Sequence, residues 1–341
     1  MINYNIGVGY KKGEVEYSTS IKLAECEDHN NFIVLRAYAK NIKEIDIKNI
    51  KCGDVSLGYF IPSSALLSTE HEFYENPVFQ KFCDATLKTL IDHHISGDEL
   101  LTDLENILNN YAYLSLSKER VTASTLSKNE IKLFFVSLGI LVDDINGAVK
   151  SDCIKNAIFP DLSYKDTKTI KIPHDRTAIF KDDYIVDILT SEVFNENNPL
   201  IQFFYLYQTM EIMIDAVLID EYNELKNTIN AITDVNSQKI KEAVKDLSDS
   251  IKEINRINKL VNNKCRVPFQ DAYNTLVTLR DFASAHGRVK KIDTIHECIY
   301  AIRNMVFHEY RSIGDSQKLT DINSHIFQYI LHIVINVKLD T

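Results

Sequence analysis

An α+β fold is predicted for this chain of 341 residues on three observations. Runs with strand character fill the chain up to about Pro62, helical periodicity takes over after Asn198, and glycine is scarce. Only 10 residues are glycine, against a usual share of about 7%. That scarcity argues against folds built on repeated glycine loops, such as dinucleotide-binding sheets or propellers. The length suits two domains. With 45% hydrophobic and 25% charged residues, disorder, collagen and coiled-coil filaments are excluded.

The strands are read from Val15–Lys22, Phe32–Tyr38 and Val55–Phe60, where β-branched and aromatic residues partly alternate between Gly, Asn and Asp. Gly7, Gly9 and Gly13 mark a turn between strands. Asn76-Pro77 has the form of an N-cap followed by proline at the first helical position, which opens a helix to about His94 before Ser96-Gly97. Further helices are expected over Asp98–Leu114 and Ser127–Ile145, and a strand over Thr167–Ile172. Asn198-Pro199 repeats the cap. Beyond it Phe203, Phe204, Tyr207, Met210, Ile214 and Val217 fall three or four apart, an apolar stripe on a helix. A long helix over Val235–Asn262, one from Pro268 to His286-Gly287, one over Ile292–Ser312 and one over Thr320–Val337 complete a helical bundle. The domains expected are a β-rich segment 1–65, a mostly helical regulatory or sensor region 66–195, and an all-α domain 196–341.

Several function classes find no support. The glycines near the N-terminus lack the spacing of a dinucleotide fingerprint and the Gly-Lys-Ser/Thr ending of a P-loop. No Gly-x-Ser-x-Gly elbow occurs. Cys26-Glu27-Asp28-His29 is half of a metal cluster without a second half, and His93-His94 point to different faces of a helix, so neither a metal nor a cofactor is expected. The six cysteines are scattered and are read as reduced core thiols. The most apolar stretch, Ile326–Val337, is interrupted by Gln328, His332 and Asn336 and falls short of the roughly 18 residues that span a bilayer. No basic-then-apolar opening is present, so a cytoplasmic protein without a membrane partner is expected.

The informative stretch is Arg303-Asn304-Met305-Val306-Phe307-His308-Glu309-Tyr310. With Ile302 at the centre of the buried face, about 100° per residue places Asn304 and His308 on the opposite face and Arg303 at its flank. A guanidinium, an amide and an imidazole on one surface suit a phosphodiester. Arginine grips phosphate oxygens and stabilises the charge that grows on them. Imidazole titrates near neutrality and can take a proton from a ribose 2′-hydroxyl or give one to the leaving oxygen. A solvated helix end, with cations near the negative pole of the dipole, has the same residues. Arg280 and His286 show how such a pair arises without a site.

The arrangement resembles the HEPN (higher eukaryotes and prokaryotes nucleotide-binding) superfamily, compact helical bundles whose nuclease members carry Arg-x4-6-His on a late helix, often with a polar residue after the arginine. Arg303, Asn304 and His308 match these positions, and Glu309-Tyr310 extends the match to Arg-x4-His-x-Tyr, similar to HEPN toxins paired with small nucleotidyltransferase antitoxins. LIQFFYLYQTMEIMID resembles the aromatic-rich opening helix of such domains, with Glu211 as the acidic residue on the apolar stripe. The resemblance covers about Asn198 to Thr341. It departs from the family in the long helix expected at Val235–Asn262 and in the first 195 residues.

What the resemblance implies is a metal-independent endoribonuclease that leaves a 2′,3′-cyclic phosphate, working as a homodimer whose two motifs line one cleft. RNA would be the substrate, in toxin–antitoxin or anti-phage defence, with an antitoxin or sensor as a further partner. Arg303 would bind the scissile phosphate, Asn304 would orient it or the imidazole, and His308 would be general base or acid. Glu211 would hold Arg303, or else be a core anchor bonded to a tyrosine. Tyr310 would assist RNA binding or regulation, or simply pack at the helix end. The alternative from another class is a non-catalytic helical module that binds a nucleotide or protein on the same face.

Charge bears on this reading. The net charge of -10 looks unfavourable for RNA. It is unevenly spread, however: residues 251–341 hold 13 Lys/Arg against 9 Asp/Glu, and Arg256–Lys291 alone holds eight basic and two acidic residues. That run is the sequence's candidate for attracting phosphate.

Overall fold

The protein was analysed as a computed structural model, which describes residues 2–12, 15–23, 29–39, 42–43, 45–66, 68, 70–94, 111–145, 167–173, 181–231, 241, 245, 252–265, 267–285, 292–309 and 316–338. The fold is α+β, with a helical C-terminal part. The chain forms two compact units, one of residues 1–154 and 160–175, the other of residues 155–159 and 176–341.

The first unit is organised by a sheet of order β7-β3-β6-β5-β4-β8. Its strands are β3 (Phe32–Tyr38), β4 (Lys48–Cys52), β5 (Val55–Pro62), β6 (Tyr111–Ser117), β7 (Leu141–Asp144) and β8 (Thr169–Ile172), and every pairing is antiparallel except β4 with β8. β1 (Ile2–Lys12) and β2 (Val15–Leu23) form a separate antiparallel pair. Gly7 and Gly9 are therefore not a turn. They lie inside β1, where the register shifts between Ile6 and Tyr10, the usual place for glycine in a bulge.

Helix α1 (Pro77–His94) begins as its cap predicts, with Asn76 Oδ1 accepting from the backbone N–H groups of Val78 and Phe79. It covers one face of the sheet, where Tyr59 packs edge-on against Phe73, Phe79 and Phe82. The other face buries Leu35, Ile50, Phe60, Leu114 and Leu116 completely. Burial on both faces explains why β6 was expected as the end of a helix over Asp98–Leu114. A strand sealed on both sides reads as a continuous apolar run without alternation. Residues 95–110 lie outside the described residues.

The helix expected over Ser127–Ile145 is also shorter. After the short helix α2 (Lys118–Ala123), α3 (Lys128–Ser137) opens on a capping box in which Ser127 and Glu130 each accept from the other's backbone N–H. Gly139, at φ 77°, ends it, and the chain turns into β7. Because β6, β7 and β8 join strands from the first 65 residues in one sheet, no domain boundary falls at residue 65.

In the second unit, α4 (Asp183–Asp187) continues through a π-helical turn, Ile188–Glu192, into α5 (Val193–Asn195). The long helix α6 (Pro199–Ala231) follows, capped by Asn198, whose side-chain oxygen accepts from Leu200 N–H. Then come α7 (Glu253–Lys259) with a π-helical turn at Leu260–Lys264, α8 (Ala272–Ala285), α9 (Ile295–Glu309) and α10 (Ser316–Asn336). The single helix expected over Val235–Asn262 is interrupted at Lys252, which is extended (ψ 125°) and is the cap from which α7 starts. Residues 232–240, 242–244 and 246–251 lie outside the described residues.

The apolar stripe read on α6 forms the bundle core. Phe203, Met210 and Val217 are fully buried, with Tyr207 and Ile214 nearly so. From α10 they are matched by Ile326, Phe327, Ile330, Ile333 and Val334, all fully buried. Asn323 donates to the Pro199 carbonyl at 2.7 Å, pinning α10 to the first turn of α6. Cys265 pairs with Val337 in an isolated antiparallel bridge, tying the end of α7's π turn to the end of α10. Among the described residues no helix is long and apolar enough to cross a membrane. Cys52, Cys83, Cys265 and Cys298 are buried free thiols.

Candidate functional site

Arg303 stands where three helices of the second unit meet. The core residues Ile302, Met305 and Val306 fix the rotation of α9 by burying one side of it. That rotation turns Arg303 toward α6, and its side chain is 23% exposed. Its guanidinium lies over two rings, at 4.6 Å from Phe307 and 5.4 Å from Tyr207. Nη1 donates to Asn304 Oδ1 at 3.2 Å, and Nη2 is 3.7 Å from Glu211 Oε1. Nε is buried without a partner among the described residues.

The sequence reading of Glu211 as Arg303's counter-charge thus agrees with the geometry. The expected burial does not, since the Glu211 side chain is 44% exposed. It lies at the edge of the stripe and not in it. Even so, burial raises its pKa above the ordinary value, Arg303 opposes the rise, and Glu253 and Asp215 add to it. Nor does Glu211 bond to the tyrosine. The Tyr207 hydroxyl donates to Glu253 Oε1 at the start of α7, and burial together with that carboxylate raises the phenol's pKa strongly.

Sequence reasoning missed Glu253, Tyr207 and Phe307 as parts of this environment. A signal existed for two of them: Phe307 is four residues after Arg303, and Tyr207 four before Glu211, so each shares a helix face with its neighbour. Phe307, 48% exposed, also packs edge-on against Phe204 at 4.9 Å between ring centres. Asn304 is half-buried, drawn toward Arg303 and not set fully on the solvent face as expected. His308 lies on α9, five residues on from Arg303, which is about 7.5 Å of helix rise. Its side chain, and Tyr310 altogether, are outside the described residues.

Three cations of the basic run are paired with carboxylates, while Arg266, Arg288, Lys290 and Lys291 lie outside the described residues. Arg256 Nη1 pairs with Asp215 Oδ1 at 2.6 Å, Lys259 with Glu221, and Lys264 with Asp220 and, at 3.0 Å, with Glu224. The first three cations of the run therefore join α7 to an acidic row on α6. These charges are engaged inside the bundle and do not form an open phosphate-attracting surface.

A further polar network lies at the other end of α9. His296, buried, is 2.7 Å from Asn258 Oδ1 on α7 and 3.1 Å from Thr294 Oγ1, both through Nε2. An amide oxygen accepts only, so Nε2 carries the proton. Thr294 in turn donates to Glu297 Oε2 at 2.8 Å. Burial lowers the His296 pKa and Glu297 opposes it, so the ring is held neutral.

Among the described residues no group of three or more His, Cys, Asp or Glu is placed to hold a metal ion. His29, the described member of the Cys26–His29 cluster, pairs with Asp92 at 3.0 Å. Compared with family models, curated proteins and solved structures, the chain gives no match.

Proposed function

We propose that the helical unit is a metal-independent endoribonuclease of HEPN type, an effector of toxin–antitoxin or anti-phage defence that acts as a homodimer. The reading is supported above all by how Arg303 is held. Glu211, at 3.7 Å, neutralises the guanidinium from beyond hydrogen-bond range, so it steers the group without occupying its N–H donors. Asn304 takes one donor, and the two rings fix the plane. The guanidinium is thus oriented in advance, with donors left for the oxygens of a phosphodiester.

In this mechanism the RNA phosphate binds to Arg303 and displaces the weak contact with Glu211. His308 removes the 2′-hydroxyl proton, the 2′-oxygen attacks phosphorus, and the 5′-oxygen leaves with a proton from a second acid, here the partner subunit's copy of the motif. The product is a 2′,3′-cyclic phosphate and a free 5′-hydroxyl. The first unit would serve as sensor or partner-binding module. The test is RNA cleavage in EDTA by the full chain, by His308→Ala and by Arg303→Ala. Cleavage by the unaltered chain alone, ending in cyclic phosphate, is expected. Equal cleavage by all three, or a strict need for divalent metal, sinks the reading.

A second reading, a non-catalytic module that binds a nucleotide or protein, is favoured by the withdrawal of Arg303 to 23% exposure. It predicts binding to the same face, weakened by Arg303→Ala, with no cleavage at all.

A further inference from the structure

An open cavity of ≈ 580 Å³ lies between the π turn after α7, the start of α8, the start of α9 and the end of α10. Its size falls within the roughly 300–1,000 Å³ of ligand pockets, and Arg303 is not among its walls. The sequence builds it from the loop that Pro268 stiffens. Phe269, just after the proline, packs edge-on against Tyr329 at 5.4 Å and tilts over His332 at 5.3 Å. His332 Nε2 is held by the Val267 carbonyl at 2.8 Å, which fixes the imidazole as part of the wall. Tyr273, on the first turn of α8, also lines the cavity, with 78% of its surface in solvent.

Two features of this wall point to a ligand. A tyrosine ring left in water beside an aromatic cluster is apolar surface that a flat molecule would cover. Tyr329 lines the cavity, and its hydroxyl makes no hydrogen bond among the described residues. Facing the cavity, the hydroxyl can donate to an acceptor bound there. Burial and the nearby Cys265 thiol raise the phenol's pKa, so the group is a donor at every physiological pH. The charge of the wall narrows the class. Among the described lining residues Asp293 alone carries a fixed formal charge, and it is negative. Phosphates and carboxylates are disfavoured there, and with them the backbone of a nucleic acid.

We propose that this cavity binds a free, uncharged, flat heteroaromatic molecule, its ring packed between Phe269 and Tyr273 and its acceptor edge on the Tyr329 hydroxyl. The site does not depend on the ribonuclease reading. The test uses ligand-observed NMR on the full chain with quinoline and adenine as probes and cyclohexanol as a saturated control. Quinoline and adenine bind and cyclohexanol does not. Ala272→Trp, at an exposed position on the rim, fills the cavity and abolishes binding. Tyr329→Phe weakens both probes about 5-fold, the worth of one neutral hydrogen bond. Tyr273→Ala weakens them severalfold without touching the core, and Arg303→Ala has no effect. Failure of both probes to bind the unaltered chain, undiminished binding to both rim variants, or equal binding of cyclohexanol overturns the proposal. So does binding of an oligoadenylate when neither free probe binds.

Discussion

The Glu211 carboxylate faces the Arg303 guanidinium at 3.7 Å, close enough to attract it and too far to accept a hydrogen bond from it. A tighter bidentate pair would fix the arginine more firmly but would occupy the donors that a phosphate needs. The long contact separates orientation from occupancy.

Glu211→Gln keeps the shape and removes the charge. On the ribonuclease reading kcat falls about tenfold, equivalent to roughly 1.4 kcal/mol of transition-state stabilisation, because the guanidinium loses its orientation. KM does not rise, since the phosphate no longer competes with a carboxylate. Steady-state cleavage of a short RNA checks this, and a raised KM at unchanged kcat would count against the assignment. Stability changes by less than about 1 kcal/mol, as expected for a pair this exposed.

Tyr207→Phe separates the roles of the same residue. The ring still lies beneath Arg303, but the hydroxyl that donates to Glu253 is gone. A hydrogen bond to a charged partner is worth about 1.5–3 kcal/mol, so denaturant unfolding should show a loss of that size. Cleavage by the folded variant should persist. Unaltered stability would show that the bond between α6 and α7 contributes nothing.

The sequence disclosed the helical unit well because its elements start with explicit chemistry. Asn198-Pro199 caps α6 where expected, and the stripe from Phe203 to Val217 is the buried face. It disclosed the sheet poorly. β6 is buried on both sides, so Ala112 to Leu114 reads as an unbroken apolar run, and β7 follows α3 after a single glycine turn that an apolar run conceals. At the site, Arg303, Asn304 and Glu211 were legible from spacing along α9 and α6. Glu253 was not, because it reaches Tyr207 only through tertiary packing, and Lys252, which breaks the helix just before it, carries no breaker signal. The pairing of Arg256, Lys259 and Lys264 was hidden for a similar reason: their partners Asp215, Asp220, Glu221 and Glu224 are some 40 residues away in sequence.

Two glycines in the sheet unit should lose stability unequally on replacement by alanine. A Cβ on Gly58 would lie 2.0 Å from the Ser115 carbonyl oxygen and 2.9 Å from Leu116 Cα, both backbone atoms of the neighbouring strand. Strands cannot separate by that much without loss of pairing, so Gly58→Ala costs at least about 3 kcal/mol. Gly53, at φ 57° in the β4–β5 turn, has nothing within 4 Å of such a Cβ. Gly53→Ala meets only the left-handed backbone penalty, about 1–2 kcal/mol. Unfolding midpoints of the two variants measure the difference, and equal losses would contradict the close approach of β5 and β6.

The His296 network makes the helical unit sensitive to mild acid. The folded state holds the ring neutral while the unfolded chain takes up a proton near its ordinary pKa of 6.5. With the folded pKa depressed, the unfolded state binds more protons over the window below 6.5. The network's contribution is therefore fully present above that value and is lost as pH falls toward the folded pKa. The slope cannot exceed about 1.4 kcal/mol per pH unit for one group. His296→Gln retains a donor for Asn258 Oδ1 and removes the titration, so it should flatten the change in unfolding free energy between pH 7.5 and about 5.5. An unchanged slope in His296→Gln would assign the acid sensitivity to another group.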